Sequence, residues 1–341
     1  MNKSFKVVFS KARSALMVVN EATSSVQAKG TKTVIAAAAA AMLAGGAVAA
    51  TTDATLVITQ ADQITGQQKL KNDQVFQDLT IAAPTNTTGY YGALYVNGVS
   101  GASNSAVTVS GLKFLNNTTY TKAAEGKNQA LYGQGGAAAV YRSNIKFVDA
   151  QFTGNTAQGH GGALLIATGT QSPSEKCTVE VAVTANKKAV YAGNKAGSGY
   201  TKYEDMGGFA YLRDASTLTL DVAQGSFLTI GEAGAAQTAG LDSIASVGDG
   251  EQLKVTGGGS VTINGSTENF AGTITVESGS SLTMATGFGS RVTRQQIEAN
   301  KTSGSDSATE AAESNLKLAS VLSVESGASA TINDVLEITG Q

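Results

Sequence analysis

Few residues in this 341-residue chain are of a type that does chemistry. The one histidine, His160, lies in Gly159-His160-Gly161-Gly162, so neither a triad nor a histidine metal cluster has a second imidazole to draw on. Flanked by glycines, it is expected as an exposed turn residue, not a catalytic base. The one cysteine, Cys177, excludes an internal disulfide and is expected as apolar filler, with only Lys176 beside it to favour a thiolate. Acid–base work on a polysaccharide would call on carboxylates such as Asp149, Glu180, Glu204 and Asp205, which are scattered along the sequence as solvated turn charges would be. The stretch from Asp242 to Asp249 with Glu251 offers oxygen ligands for calcium but lacks the nonapeptide Gly/Asp repeat that builds such sites. The glycine-rich runs lack the Gly-Lys-Ser/Thr ending of a phosphate loop. The expectation is a chain with no catalytic residue, no metal and no cofactor.

The elements that would hold these residues are repetitive. Gly is 40 residues, Pro 2 and Trp 0, with 15% charged, which excludes disordered, collagenous and coiled-coil classes. A net charge of -2 without blocks of like charge gives no field to gather nucleic acid or anionic lipid. Phe114-Leu-Asn-Asn117, Phe152-Thr-Gly-Asn155 and Tyr191-Ala-Gly-Asn194 recur at intervals of 38 and 39 residues, each an aromatic followed three positions later by Asn. After each comes a glycine pair opening an apolar run: Gly135-Gly136, Gly161-Gly162 and Gly207-Gly208, with Gly89 to Leu94 as a degenerate first member. The aromatic is expected inside a stack, the Asn bonded to its own turn backbone, and the glycines at positive φ or at close backbone approach. The pairing of FxxN with GGA motifs resembles the repeats of polymorphic outer-membrane proteins and related autotransporter passengers.

A second unit fills the later half: Val222 with Thr229-Ile230, Val255 with Thr262-Ile263, Val276 with Thr283-Met284, and Val324 with Thr331-Ile332. Each reads as a β-branched strand, a Gly-centred turn and an alternating strand. Asn269-Phe270-Ala271-Gly272 before a strand also resembles a passenger motif. The fold class expected is all-β, a right-handed parallel β-helix, with a β-sandwich as the alternative. At about 21 residues per coil, 12 to 13 coils stacked about 4.8 Å apart would make a rod near 60 Å long. Residues 287–317 are polar and without strand alternation, a protruding loop with a helical turn or two; 120–134 and 169–176 are smaller loops of the same kind.

The N-terminus reads as an export device. Residues 33–50 form a short apolar segment preceded by Lys29 and Lys32 and closed by the small residues Ala47-Val48-Ala49, which places signal-peptidase cleavage after Ala49 and makes Ala50 the mature start. The stretch is short and mildly apolar for a membrane anchor. Before it, Phe5-Lys-Val-Val-Phe9, Lys11-Ala-Arg13 and Met17-Val-Val19 with Glu21-Ala22 resemble the extended signal peptide region of type V secretion proteins, the alternative being an amphipathic surface helix. The domains so defined are 1–28 (extended region), 29–49 (signal core) and 50–341 (passenger, with FxxN/GGA repeats over about 79–212 and the second unit over about 218–341).

The resemblance implies passage through the secretory translocon, cleavage by signal peptidase, and delivery to the outer-membrane surface or beyond. No series of membrane-barrel strands is visible before Gln341. The expectation is a truncated chain or a separately encoded barrel, with a periplasmic location if no barrel exists. The function expected is a non-enzymatic, adhesin-like or structural passenger that contacts a host or bacterial surface ligand. The alternative is a carbohydrate-active β-helix, a lyase or hydrolase, whose carboxylates would have to converge within about 10 Å in a cleft.

Overall fold

The computed structural model describes residues 5–10, 15–20, 72–83, 92–100, 105–121, 133–168, 177–197, 207–246, 250–288 and 321–333. The cleavage-site residues Ala47, Ala49 and Ala50, the carboxylates Glu204 and Asp205, and nearly all of the 287–317 insertion lie outside the described residues. Two compact units are present, Met1–Thr51 and Thr52–Gln341. In the first, β1 (Phe5–Ser10) pairs antiparallel with β2 (Ala15–Asn20), so the apolar pattern there forms strands and not a surface helix.

The second unit is a parallel β-helix: its strands stack in five sheets, each strand paired in parallel with one or both of the strands in the neighbouring rungs. The first rung holds β3 (Val75–Gln77), β4 (Thr80–Ala83) and β5 (Leu94–Asn97). The second holds β6 (Val107–Ser110), β7 (Lys113–Leu115), β8 (Thr118–Thr121) and β9 (Ala138–Tyr141). In the third are β10 (Asn144–Val148), β11 (Gln151–Thr153), β12 (Thr156–Ala157) and β13 (Leu164–Ala167). The fourth has β14 (Thr178–Val183), β15 (Lys188–Tyr191), β16 (Lys195–Ala196) and β17 (Ala210–Arg213). The fifth has β18 (Thr217–Val222), β19 (Phe227–Ile230), a 3-10 turn at Ala235–Gln237 and β20 (Ile244–Ser246). Three smaller rungs follow: β21 (Gln252–Thr256) with β22 (Ser260–Ile263), β23 (Thr273–Val276) with β24 (Ser281–Met284), and β25 (Val321–Val324) with β26 (Ser329–Ile332).

Eight rungs lie among the described residues, where a constant coil of about 21 residues predicts more turns per length of chain. A rung is not a constant 21 residues: Asn117 and Asn155 are 38 residues apart, Ser260 and Ser281 only 21. The larger perimeter uses more chain per step, so the described stack rises about 38 Å at about 4.8 Å per rung.

Alternation sets which side chains fill the interior. In the long sheet β6-β10-β14-β18-β21-β23-β25, Val107, Ile145, Val179, Leu218, Leu253 and Ile274 stand in one inward column, and Lys146, Glu180, Thr219 and Lys254 in the outward column beside it. The sequence alignment of the second repeat needs one correction here: Val255 and Val276 stack on Leu220, not on Val222, because β18 runs on to Val222 and the chain from Leu220 to Phe227 is two residues longer than that from Val255 to Ser260 or from Val276 to Ser281. Corners between strands are made by single residues in the left-handed region, such as Asp78 at φ 54°, Asn116 at 54°, Gly154 at 69° and Gly193 at 77° on successive rungs. One such residue turns the chain sharply without a loop, which keeps successive rungs superimposable.

Candidate functional site

Inside the stack, Phe76, Phe114 and Phe152 lie face to face, with ring centroids 4.9 and 5.1 Å apart. Tyr191 continues the column edge-on to Phe152 at 5.3 Å and stacks on Phe209 at 5.5 Å. The position three residues on is occupied by Asn117, Asn155 and Asn194, all fully buried. Each of these side chains donates to the carbonyl of the aromatic one rung earlier: Asn117 to Phe76 (2.9 Å), Asn155 to Phe114 (2.9 Å) and Asn194 to Phe152 (3.1 Å). Asn117 Nδ2 also donates to Asn155 Oδ1 and Asn155 Nδ2 to Asn194 Oδ1, at 2.9 and 3.0 Å. The bonding thus runs between rungs, correcting the expectation that each Asn serves its own turn. An amide carries separate donor and acceptor atoms, so each Asn both gives to and receives from a neighbouring rung, and the buried amides of the line are bonded to one another.

The ladder ends at Asp242. Its carboxylate accepts from Gly193 N (2.8 Å), Asn194 N (2.8 Å) and Asn194 Nδ2 (3.1 Å). Burial lifts its pKa above the ordinary carboxylate value, opposed by the Asn194 and Gly193 donors. A carboxylate has no N–H to pass on, so the line cannot continue past it.

The glycine pairs divide their work. Gly135, Gly161 and Gly207 take φ of 70°, 68° and 72°. Gly136 and Gly162 sit where the next rung's backbone presses against them; a Cβ on Gly162 would lie 2.4 Å from Gly208 O. Gly208 in turn abuts the fifth rung, where Asp242 stands in its column.

His160 is not the exposed turn residue expected from its glycine neighbours. It is 6% exposed, stacked on Tyr211 with centroids 4.3 Å apart. Burial, with the Arg213 charge nearby, lowers its pKa to about 3, so the imidazole is neutral at physiological pH. Cys177 is buried, its thiol against Val140 O at 3.5 Å, and burial pushes its pKa up to about 12. A thiol so held is unreactive.

The charged chemistry lies on the outward face of the long sheet. Lys146 Nζ contacts Glu180 Oε1 and lies 3.0 Å from Asp221 Oδ2, which joins three consecutive strands. Glu180 and Asp221 are therefore not scattered. Sequence spacing missed Lys146 and Asp221 because their juxtaposition depends on the rung length. Burial, reinforced by the neighbouring Asp221, holds Glu180 above the ordinary carboxylate range despite Lys146. Burial also works against the charge of Asp221, but Lys146, Glu180 and Thr256 hold it below that range. The pair could in principle divide into acid and base, but one ammonium occupies both carboxylates. Asp149 is likewise engaged, accepting from Lys187 Nζ at 2.7 Å and Thr184 N at 3.0 Å. Among the described residues, no group of three or more His, Cys, Asp and Glu is placed to hold a metal ion.

Comparison with known proteins adds to this geometry. Residues 1–50 match the family described as the Extended Signal Peptide of Type V secretion system. Over 130 residues, 38% of this chain, the sequence is 32% identical to the Probable autotransporter YfaL of Escherichia coli (strain K12). The match spans a tenth of that relative's length. No solved structure matches. An extended type V signal ahead of a parallel β-solenoid supports the class of an exported, autotransporter-like passenger. The signal peptide implies the secretion machinery and signal peptidase as partners.

Proposed function

We propose that this chain is a non-enzymatic passenger, adhesin-like or structural, that acts at the outer-membrane surface or beyond it. The observation that carries the reading is the stack behind its export signal. Apolar side chains seal rung against rung, and whole sheet faces are left as lateral surfaces on which binding is spread. The FxxN and GGA units are read as those of polymorphic outer-membrane proteins and related passengers. An outer-membrane barrel serves the last membrane step, and a host or bacterial surface ligand is the partner outside.

Fractionation of cells expressing the full chain, with N-terminal sequencing of the product, tests the export half. The expected product begins at Ala50 and lies outside the inner membrane; an intact Met1 terminus in the cytoplasm would sink the reading. Adhesion is read by retention of cells on beads coated with the chain, which should exceed retention on uncoated beads.

A second reading, a carbohydrate-active β-helix, is favoured by the convergence of Glu180 and Asp221 on Lys146. Glycoside hydrolysis needs two carboxylates about 5–9.5 Å apart with a sugar between them. Here an ammonium takes that place, which favours an ion cluster that ties three rungs together. Release of reducing ends from polysaccharides by the wild type, lost in Glu180→Gln, would reverse the preference.

A further inference from the structure

A different chemistry covers the outward face of the sheet β15-β19-β22-β24-β26. One column along it is Lys188, Phe227, Ser260, Ser281 and Ser329. The parallel column is Val190, Thr229, Thr262, Thr283 and Thr331. From Phe227 onward these two columns contain no ionisable group, in contrast to the Lys146, Glu180 and Asp221 cluster on the long sheet. Phe227 is 47% exposed and Val190 44%, two of the four large exposed hydrophobics among the described residues. They sit diagonally across adjacent strands, within reach of one another. The three following rungs place serine where Phe227 stands, so the strand position itself does not call for a ring. Lys188 Nζ lies over the Phe227 ring at 5.7 Å from its centroid, and the ring seals no core, so nearly half of it stays open as a contact surface.

We infer that this face binds a neutral polysaccharide chain laid along the stack, with a sugar ring on Phe227 and sugar hydroxyls on the Ser/Thr rows. The inference rests on the reading of the solenoid as a binding scaffold. The rung spacing, about 4.8 Å, is close to the length of one pyranose unit in an extended glycan, so successive sugars meet equivalent hydroxyls. Hydroxyls lose less than charges do when water is displaced, and each can both donate and accept. The Oγ atoms of Ser281 and Ser260, 2.9 Å apart, already form a line along the axis. Other polymers fit less well. Nucleic acid needs a row of cations to release its counterions, and the columns offer only Lys188. An added peptide strand needs an open sheet edge, which only the end strands β15 and β26 offer; β19, β22 and β24, which carry Phe227 and most of the hydroxyls, are paired on both sides.

Affinity electrophoresis of the full chain through gels containing hydroxyethylcellulose, a soluble α-glucan or polygalacturonate tests the assignment. The wild type should be retarded by at least one neutral glucan. Phe227→Ala, which removes a half-exposed ring and should keep the wild-type circular dichroism spectrum, is expected to weaken that retardation about tenfold, the equivalent of about 1.4 kcal/mol. Thr283→Lys should abolish it, and Thr275→Lys, outward on the long sheet, should leave it unchanged. Retardation by no neutral glucan, retardation by polygalacturonate alone, or equal retardation of wild type and Thr283→Lys overturns the proposal. Bead adhesion that persists in any of these cases removes the glycan assignment while the passenger reading stands.

Discussion

His160, packed against Tyr211, places a titration in the folding equilibrium. Its folded pKa is about 3, against an ordinary value of 6.5, so between those values the unfolded chain takes up a proton that the folded chain refuses. Stability therefore falls as pH drops through 6.5, by up to about 1.4 kcal/mol per pH unit from this residue. His160→Phe keeps a ring on Tyr211 and should flatten the slope of denaturant midpoint against pH between about 6 and 4. The amide ladder gives a paired test. Asn155→Asp places a carboxylate opposite Phe114 O and Asn194 Oδ1, two acceptors it cannot satisfy, and should cost about 3 kcal/mol or more in chemical denaturation. Asp242→Asn, at the end of the line, keeps Oδ1 as acceptor for Asn194 but turns an N–H toward Gly193 N, and should cost about 1–2 kcal/mol, less than Asn155→Asp. At this scale the aromatic and the Asn were legible from their spacing, but the partners were not, because an inter-rung bond depends on a perimeter that local pattern does not state. The glycines around His160 read as an open turn. In fact Gly135 N donates to His160 O at 3.0 Å, so the turn is one rung's contact with the next and its side chain is covered.

Strands and corners were the more legible level. Alternation in Ser281-Leu282-Thr283-Met284 reads directly as outward and inward positions, and the burial follows it. The register is harder to read, as Val222 shows: two extra residues between Leu220 and Phe227 shift a column without leaving a local mark. The glycine pairs supply an element-scale prediction. Gly162→Ala would drive a methyl to 2.4 Å from Gly208 O and 2.5 Å from Lys195 C, backbone atoms that only rung separation can move. A loss of more than about 3 kcal/mol, or failure to fold, is expected. Gly98→Ala at a corner, with φ 66° but nothing within 4 Å of the added methyl, meets only conformational strain. It should cost about 1 kcal/mol by thermal or chemical melting.

For the whole molecule, the fold class followed from repetition and glycine content, while the length of a rung did not, because the early and late repeats use unequal perimeters. Long-range pairing in this architecture spans one rung at a time, and Cys177, alone and buried, adds no covalent cross-tie. That change of perimeter has a mechanical consequence. Pulled from its ends, the solenoid should shed chain one lap at a time, each lap of 21 residues releasing about 7 nm of contour and each lap of 38 about 13 nm. A force–extension trace should therefore show a sawtooth of unequal steps, the shortest from the lap between Ser260 and Ser281 and the longest from the lap between Ser281 and Ser329, so that the molecule carries a graduated scale of its own laps.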